Sequence, residues 1–541
     1  AVGRFNEIMA LGHKLYSYVT GFAATDSRNV TAQSWMSRLQ IQMAEVEKLE
    51  PRFAAWVGTL GLDALASQST IVADHAYPLL RIQIEAKHLM QPAEEELAAD
   101  LNLTGGRAWS RLYSTFSSQI VAPVEVGGAS QLLPMTAIRN LAYDGDRATR
   151  QRAYEAELHA WQRNAVPIAA ALNSIKGQAN TLGRRRGWDT PLDLALFNNA
   201  INRSTLETMM DTAKQHFPDF RRYLKAKAKL LGVERCAWYD LFAPVGSHQR
   251  SWSFDNAHEF IVERFGEFSP SLGNLAARAF GGRWIDAEPR DGKRGGAFCM
   301  WAQGDESRIL TNFQESYGGM STLAHELGHA YHNWCLAGRT SLQRQTPMTL
   351  AETASTFCQV IVRNAALEGA TAEEQLAIIE ADLQDNTQVI VDISSRFLFE
   401  SEVFARRQGR ELSSDELCSI MTESQLATYG DGLDSSALHP YMWAVKPHYY
   451  SSVFYNFPYM FGLLFALGVY ARYREAPAGF VSKYEALLSS TGMNDALTLA
   501  VGFGIDLAQP DFWEASLALV VADINRFEQL VAEKTAALSQ R

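Results

Sequence analysis

Apolar residues recur at three- and four-residue steps along most of this 541-residue chain, a spacing that admits little other than a mainly helical fold. The stretches SWMSRLQIQMAEVEKLEPRFAAWVG, AEEELAADLNL and TRQRAYEAELHAWQRNAVPIAAALNSIKGQANTLG each carry such a stripe. Ser, Thr or Asp marks helix starts, and Gly marks several ends. Strand signals are few. SQIVAP and SQLLPM face each other around Gly127 and Gly128, and GGAFCMWAQGDESRILTNF (295–313) reads as a hairpin turning at GDES. The expectation is a helical N-terminal domain over residues 1–165 and a larger, mostly helical domain over 166–541. GRRRGWDTP (183–191) is the other place for the boundary.

The bulk numbers exclude several classes. With 47% hydrophobic residues the chain can bury a sizeable core. A net charge of −11 disfavours nucleic acid or an acidic membrane surface as partner. The most apolar stretch, FPYMFGLLFALGVYA (457–471), is shorter than the roughly 20 residues a membrane span needs; it reads as a buried core helix. The first residues lack the basic start and apolar run of a signal peptide. Cys236, Cys299, Cys335, Cys358 and Cys418 are scattered and include no CxxC, which argues against a disulfide framework or a cysteine zinc finger. The expected compartment is reducing, the cytoplasm.

The densest chemistry is LAHELGHAYHNW, residues 323–334. Residue frequencies predict roughly 0.02 chance occurrences of HExxH in a chain of this composition, so the motif is a specific signal. On a helix, His325 and His329 share a face about 6 Å apart along the axis and can converge on one metal ion. Glu326 points about 100° away, where it can reach a water at the metal without being a ligand. Ser321 or Thr322 is expected to cap this helix and Gly338 to end it, with Leu323, Leu327 and Trp334 packing on the core. Gly328 costs about 1 kcal/mol inside a helix, which a close backbone approach would explain.

Zinc hydrolases typically supply three protein ligands. His332 lies on nearly the same stripe but about 10 Å along the axis from His325, which suits a supporting or substrate-contacting role better than ligation. The candidate third ligand is Glu352 in PMTLAETASTF, 23 residues after His329, across a loop and at the start of a second helix. Two other readings stay open. Thr349 and Glu352 match a capping box, and other carboxylates could serve.

KPHYYSSVFYNFPYMFG (446–462) carries a further stripe. Read as one helix, it places His448, Ser452, Tyr455 and Tyr459 within about 60° of one another, with Pro458 as a kink. These polar tips could donate hydrogen bonds to an oxyanion; the competing reading is a core helix with tyrosines at its edge.

WYDLFAP (238–244), GKRGGAFC (292–299), STLAHELGHAYH (321–332), LAETAST (350–356) and the stretch from His448, in that order, resemble the oligoendopeptidase F group within the thimet oligopeptidase family of zinc metallopeptidases. The resemblance implies a helical ellipsoid split by a deep substrate channel, with a small sheet beside a zincin-like HExxH helix. It implies one zinc per chain, bound by His325, His329 and Glu352, with Glu326 as general base. It maps the residues facing the zinc onto His448, Tyr455 and Tyr459, and the substrates onto short unfolded peptides cut internally. The peptide is expected to pair as an extra strand with RILTNF or with the edge at Gly295 and Gly296. Two rival readings remain. One is a zinc metallocarboxypeptidase of similar helical fold, in which Arg339 or Arg344 binds a terminal carboxylate. The other is a non-catalytic peptide-binding protein.

Overall fold

A computed structural model describes residues 1–246 and 251–539. Helices dominate, as the apolar spacing requires, and two small sheets interrupt them. Strands β1 (Val121–Val126) and β2 (Ala129–Pro134) form the hairpin expected around Gly127 and Gly128, with Val126 opposite Ala129. The second sheet holds β3 (Ile285–Asp286), β4 (Phe298–Gln303) and β5 (Glu306–Leu310) in the order β3-β5-β4. The β4–β5 turn is tighter than GDES suggests, because Glu306 and Ser307 already belong to β5.

That order corrects one expectation. β5 pairs with β4 on one side, while Ile309, Thr311 and Phe313 donate to the carbonyls of Trp284, Asp286 and Ala287 on the other. RILTNF therefore has no free edge for a peptide. Among the described residues β4 pairs with no strand on its other side, and Gly295 and Gly296, which lead into it, are exposed.

The proposed division at residue 165 falls inside a single helix, Arg147–Arg185, whose first turn is capped by the Asp146 carboxylate. This helix cannot act as a linker. Its buried face, from Ala153 to Leu172, shares one core with Phe399, Val403 and Trp443 from the C-terminal half. GRRRGWDTP instead contains the helix end. A larger core runs from Ala195 to Val531 and takes in Leu323, Leu327 and the helix Phe457–Glu475. In that helix Met460, Phe461, Leu464 and Phe465 have no solvent exposure, which bears out the reading of 457–471 as core. Among the described residues no helix is long and apolar enough to cross a membrane.

Candidate metal centre and active site

The histidine helix runs from Tyr317 to Cys335. It begins earlier than expected. Ser316, rather than Ser321 or Thr322, caps it by accepting from Gly319 N–H, so the preceding YGG forms its first turn. It ends at Cys335, before Gly338. Leu323 and Leu327 are buried and Trp334 packs against the same core.

Gly328 faces the helix Thr353–Leu367. A Cβ at this position would lie 2.6 Å from the Ala354 carbonyl oxygen and 2.6 Å from Ser355 Cα. The close approach expected for this glycine is therefore with the segment that carries Glu352. Gly462 acts similarly from the helix Phe457–Glu475, where a Cβ would come within 2.9 Å of Glu352 Cβ.

Glu352 sits between the short helix Met348–Ala351 and the helix Thr353–Leu367. There is no capping box with Thr349, which lies inside the short helix and donates to the Asn199 carbonyl at 2.6 Å. His325 Nε2 and His329 Nε2 lie 3.2 Å apart, and Glu352 Oε2 is 3.3 Å from the first and 3.4 Å from the second. These three are the cluster among the described residues that could hold a metal ion. A tetrahedral zinc with bonds of about 2.0–2.1 Å has ligand–ligand edges of about 3.3–3.4 Å, so the donor triangle fits that ion.

Neighbours set the orientation of these donors. Gln359 Oε1 lies 2.8 Å from His325 Nδ1, which fixes the proton there and leaves Nε2 as the lone-pair donor. Ser355 Oγ donates to Glu352 Oε2 at 2.8 Å. Burial pushes the Glu352 carboxyl up, but when the His325 and His329 rings are protonated their hydrogen bonds and charge outweigh it and hold the group well below the carboxylate range. Glu326 is 5% exposed, and its Oε2 has no hydrogen-bond partner among the described residues. Burial raises its pKa, and the flanking histidines oppose that rise.

His332 is buried and its Nε2 lies 2.9 Å from Thr491 Oγ1. Burial, then the charge of His329, lowers its pKa to about 4, so the ring is neutral near pH 7. Its ring lies at the inner wall of the cleft, anchored to Thr491, and the distance to His325 expected along the helix keeps it out of the donor triangle.

The aromatic stretch differs from its single-helix reading. His448–Ser451 is one turn, residues 452–456 are irregular, and the next helix starts at Phe457 with Pro458 in its first turn. Nevertheless the three polar rings converge. His448 and Tyr455 have centroids 4.9 Å apart, Tyr455 and Tyr459 5.6 Å, and His448 and Tyr459 6.3 Å. They lie on the Glu352 side of the centre. Tyr455 Oη approaches Met348 Sδ at 4.0 Å, and Tyr459 lines the same cavity as Glu352. Burial, with Arg396 and Lys446 adding, lowers the pKa of His448. Burial and then Tyr455 raise that of Tyr459.

The donor triangle lies between two cavities that both include His325 and Glu352. One, of about 740 Å³, is walled by β4, by Met9 and His13 of the N-terminal helix Val2–Thr25, and by Glu326 and Arg344. The other, of about 600 Å³, extends past Gln359 and Tyr459 to Asp385. Arg339 donates instead to the Ser489 carbonyl at 2.8 Å. Sequence reasoning missed Gln359 and Ser355. Both stand on the face of Glu352 at helical spacing, a signal that was available.

Residues 140–519 match peptidase family M3, and residues 61–121 match Oligopeptidase F. The chain is 24% identical to the oligoendopeptidase F homolog of Lactococcus lactis subsp. lactis (strain IL1403), over 96% of this chain and 87% of that one. It is 22% identical to oligopeptidase PepF of Bacillus subtilis (strain 168), over 84% and 69% respectively. A putative peptidase from Chlamydophila abortus has the same fold, with a TM-score of 0.84 at 21% identity over 98% of this chain and 90% of that one. Oligoendopeptidase-F from Enterococcus faecium superposes with a TM-score of 0.75 at 18% identity, over 98% and 92%. With the family match spanning well over half of its length, the chain belongs to peptidase family M3.

Proposed function

We propose that this peptidase is a zinc-dependent endopeptidase that cuts internal bonds of short unfolded peptides, with one Zn²⁺ per chain. The observation that carries the reading is the donor triangle of His325, His329 and Glu352, with sides of 3.2–3.4 Å. Zinc held there would polarise the scissile carbonyl and make a water more acidic, with a fourth position left open. Glu326, buried beside the triangle with one carboxylate oxygen unpartnered among the described residues, takes the proton of the attacking water and passes it to the leaving amine. Tyr455 is the first candidate to donate to the oxyanion, because its hydroxyl sits on the Glu352 side, against the Met348 thioether and the neighbouring Tyr459. His448 Nδ1 is a buried nitrogen without a hydrogen-bond partner among the described residues, and with Tyr459 it completes that wall.

The peptide lies along the edge of β4 that pairs with no described strand and along the glycines before it, held by main-chain hydrogen bonds that tolerate many side chains. His332 supports the cleft wall. The five cysteines are all free thiols, which fits the cytoplasm. A carboxypeptidase reading keeps one specific support: Arg344 lines the cleft and forms no ion pair with a carboxylate among the described residues. A peptide blocked at both ends separates the two. Internal cleavage is expected; no cleavage of it, with residues released from free C-termini, would overturn the endopeptidase assignment.

A further inference from the structure

Phe454, one residue before Tyr455, has φ +47°, a left-handed conformation that costs energy for a bulky residue and persists only where surroundings enforce it. The enforcing contacts come from two distant helices. Lys176, on Arg147–Arg185, and Glu400, on Ile393–Arg407, form an ion pair at 2.6 Å with both side chains 1% exposed. Both groups also hold the loop. Glu400 Oε1 accepts from Phe454 N–H at 3.1 Å, and Lys176 Nζ donates to the Ser452 carbonyl at 3.2 Å. The Phe454 ring, 4% exposed, is fixed between Phe397 and Phe404, at 5.5 and 5.3 Å. A buried ion pair is an expensive way to gain stability, since well-packed apolar residues often serve as well. Its use at this point calls for another explanation.

We propose that Lys176 and Glu400 are positioning residues for catalysis. The pair holds residues 452–454 in the strained turn that aims Tyr455 towards the Glu352 side of the metal centre. The proposal rests on the reading of Tyr455 as an oxyanion donor. A lysine from the long helix thus fixes a tyrosine 279 positions further along the chain without touching substrate.

The test is a double-mutant cycle read in kcat, KM and zinc content. Lys176→Met with Glu400→Leu removes both charges together, so neither is left buried alone. This variant is expected to bind one zinc per chain, to keep KM within about threefold and to lose roughly 10–100-fold in kcat through misplacement of the donor. In a Tyr455→Phe background the same pair of changes should lower kcat less than about twofold further, because the group it positions is gone. If the paired variant does not fold, Glu400→Gln is read in the same cycle and must show the same coupling at smaller size. A kcat within twofold of wild type, or losses that add fully to those of Tyr455→Phe, would overturn the proposal. Tyr455→Phe alone reads the donor assignment, so failure of that reading is seen separately from failure of the clamp.

Discussion

The two walls of the site are built differently. On one wall His325, Glu326 and His329 stand on one uninterrupted helix, and Gly328 lets that helix meet the segment bearing Glu352 at backbone contact. On the other wall His448, Tyr455 and Tyr459 are spread over a single turn, an irregular loop and the start of a new helix. In the first wall the geometry is inherited from the helix; in the second it is imposed by contacts from elsewhere in the chain. The first should therefore govern whether metal is held, and the second how fast chemistry proceeds once it is.

Removing a donor is the hardest test of that division. His329→Ala should abolish zinc binding and turnover together, checked by metal analysis and a quenched-fluorescence peptide assay. On the opposite wall, Tyr455→Phe should lower kcat by about 10²–10³-fold while zinc stays at one per chain. If zinc is lost with Tyr455→Phe, the two walls are not separable as described. Gln359→Ala should weaken zinc affinity about 10–100-fold, because His325 loses the group that orients it; a competition titration against a chelator measures this. Gly328→Ala should destabilise the fold by about 1–3 kcal/mol, since the added methyl meets the Ala354 backbone; denaturant unfolding reads this.

A further effect is pH-dependent. Buried His332 has its pKa lowered to about 4, against about 6.5 in an unfolded chain. Between these values the unfolded chain binds more protons. The stability from keeping this ring neutral is fully present above pH 6.5 and is lost as the pH falls towards 4, up to about 3 kcal/mol. His332→Gln should flatten the fall in Tm across that window. An unchanged slope would mean that His332 does not titrate there.

What the sequence made legible follows the same division. Spacing on a rigid helix placed His325 with His329, set Glu326 aside and removed His332 from ligation, because turn angle and rise suffice for such a reading. Glu352 lies across a turn between helices, so spacing alone left it open; the family resemblance singled it out, and the tertiary structure brings it to the histidines. The aromatic wall was read as one kinked helix at Pro458, yet Pro458 lies in a first helical turn, where proline marks a start. The break before it depends on Lys176 and Glu400, contacts that no local pattern encodes. β5 as a central strand was equally hidden, since β3 is only two residues long. The boundary drawn at residue 165 falls within a helix of 39 residues, whose continuity the apolar spacing alone did not reveal.

The most direct measurement is zinc content and peptide turnover of Glu326→Gln side by side with wild type. Glu326 stands on the metal-binding helix but is not a corner of the donor triangle. The expected result is one zinc per chain in both proteins, with turnover lower in the variant by about 10²–10⁴-fold. A zinc-loaded Glu326→Gln protein that hydrolyses peptides at a near-normal rate would contradict the account.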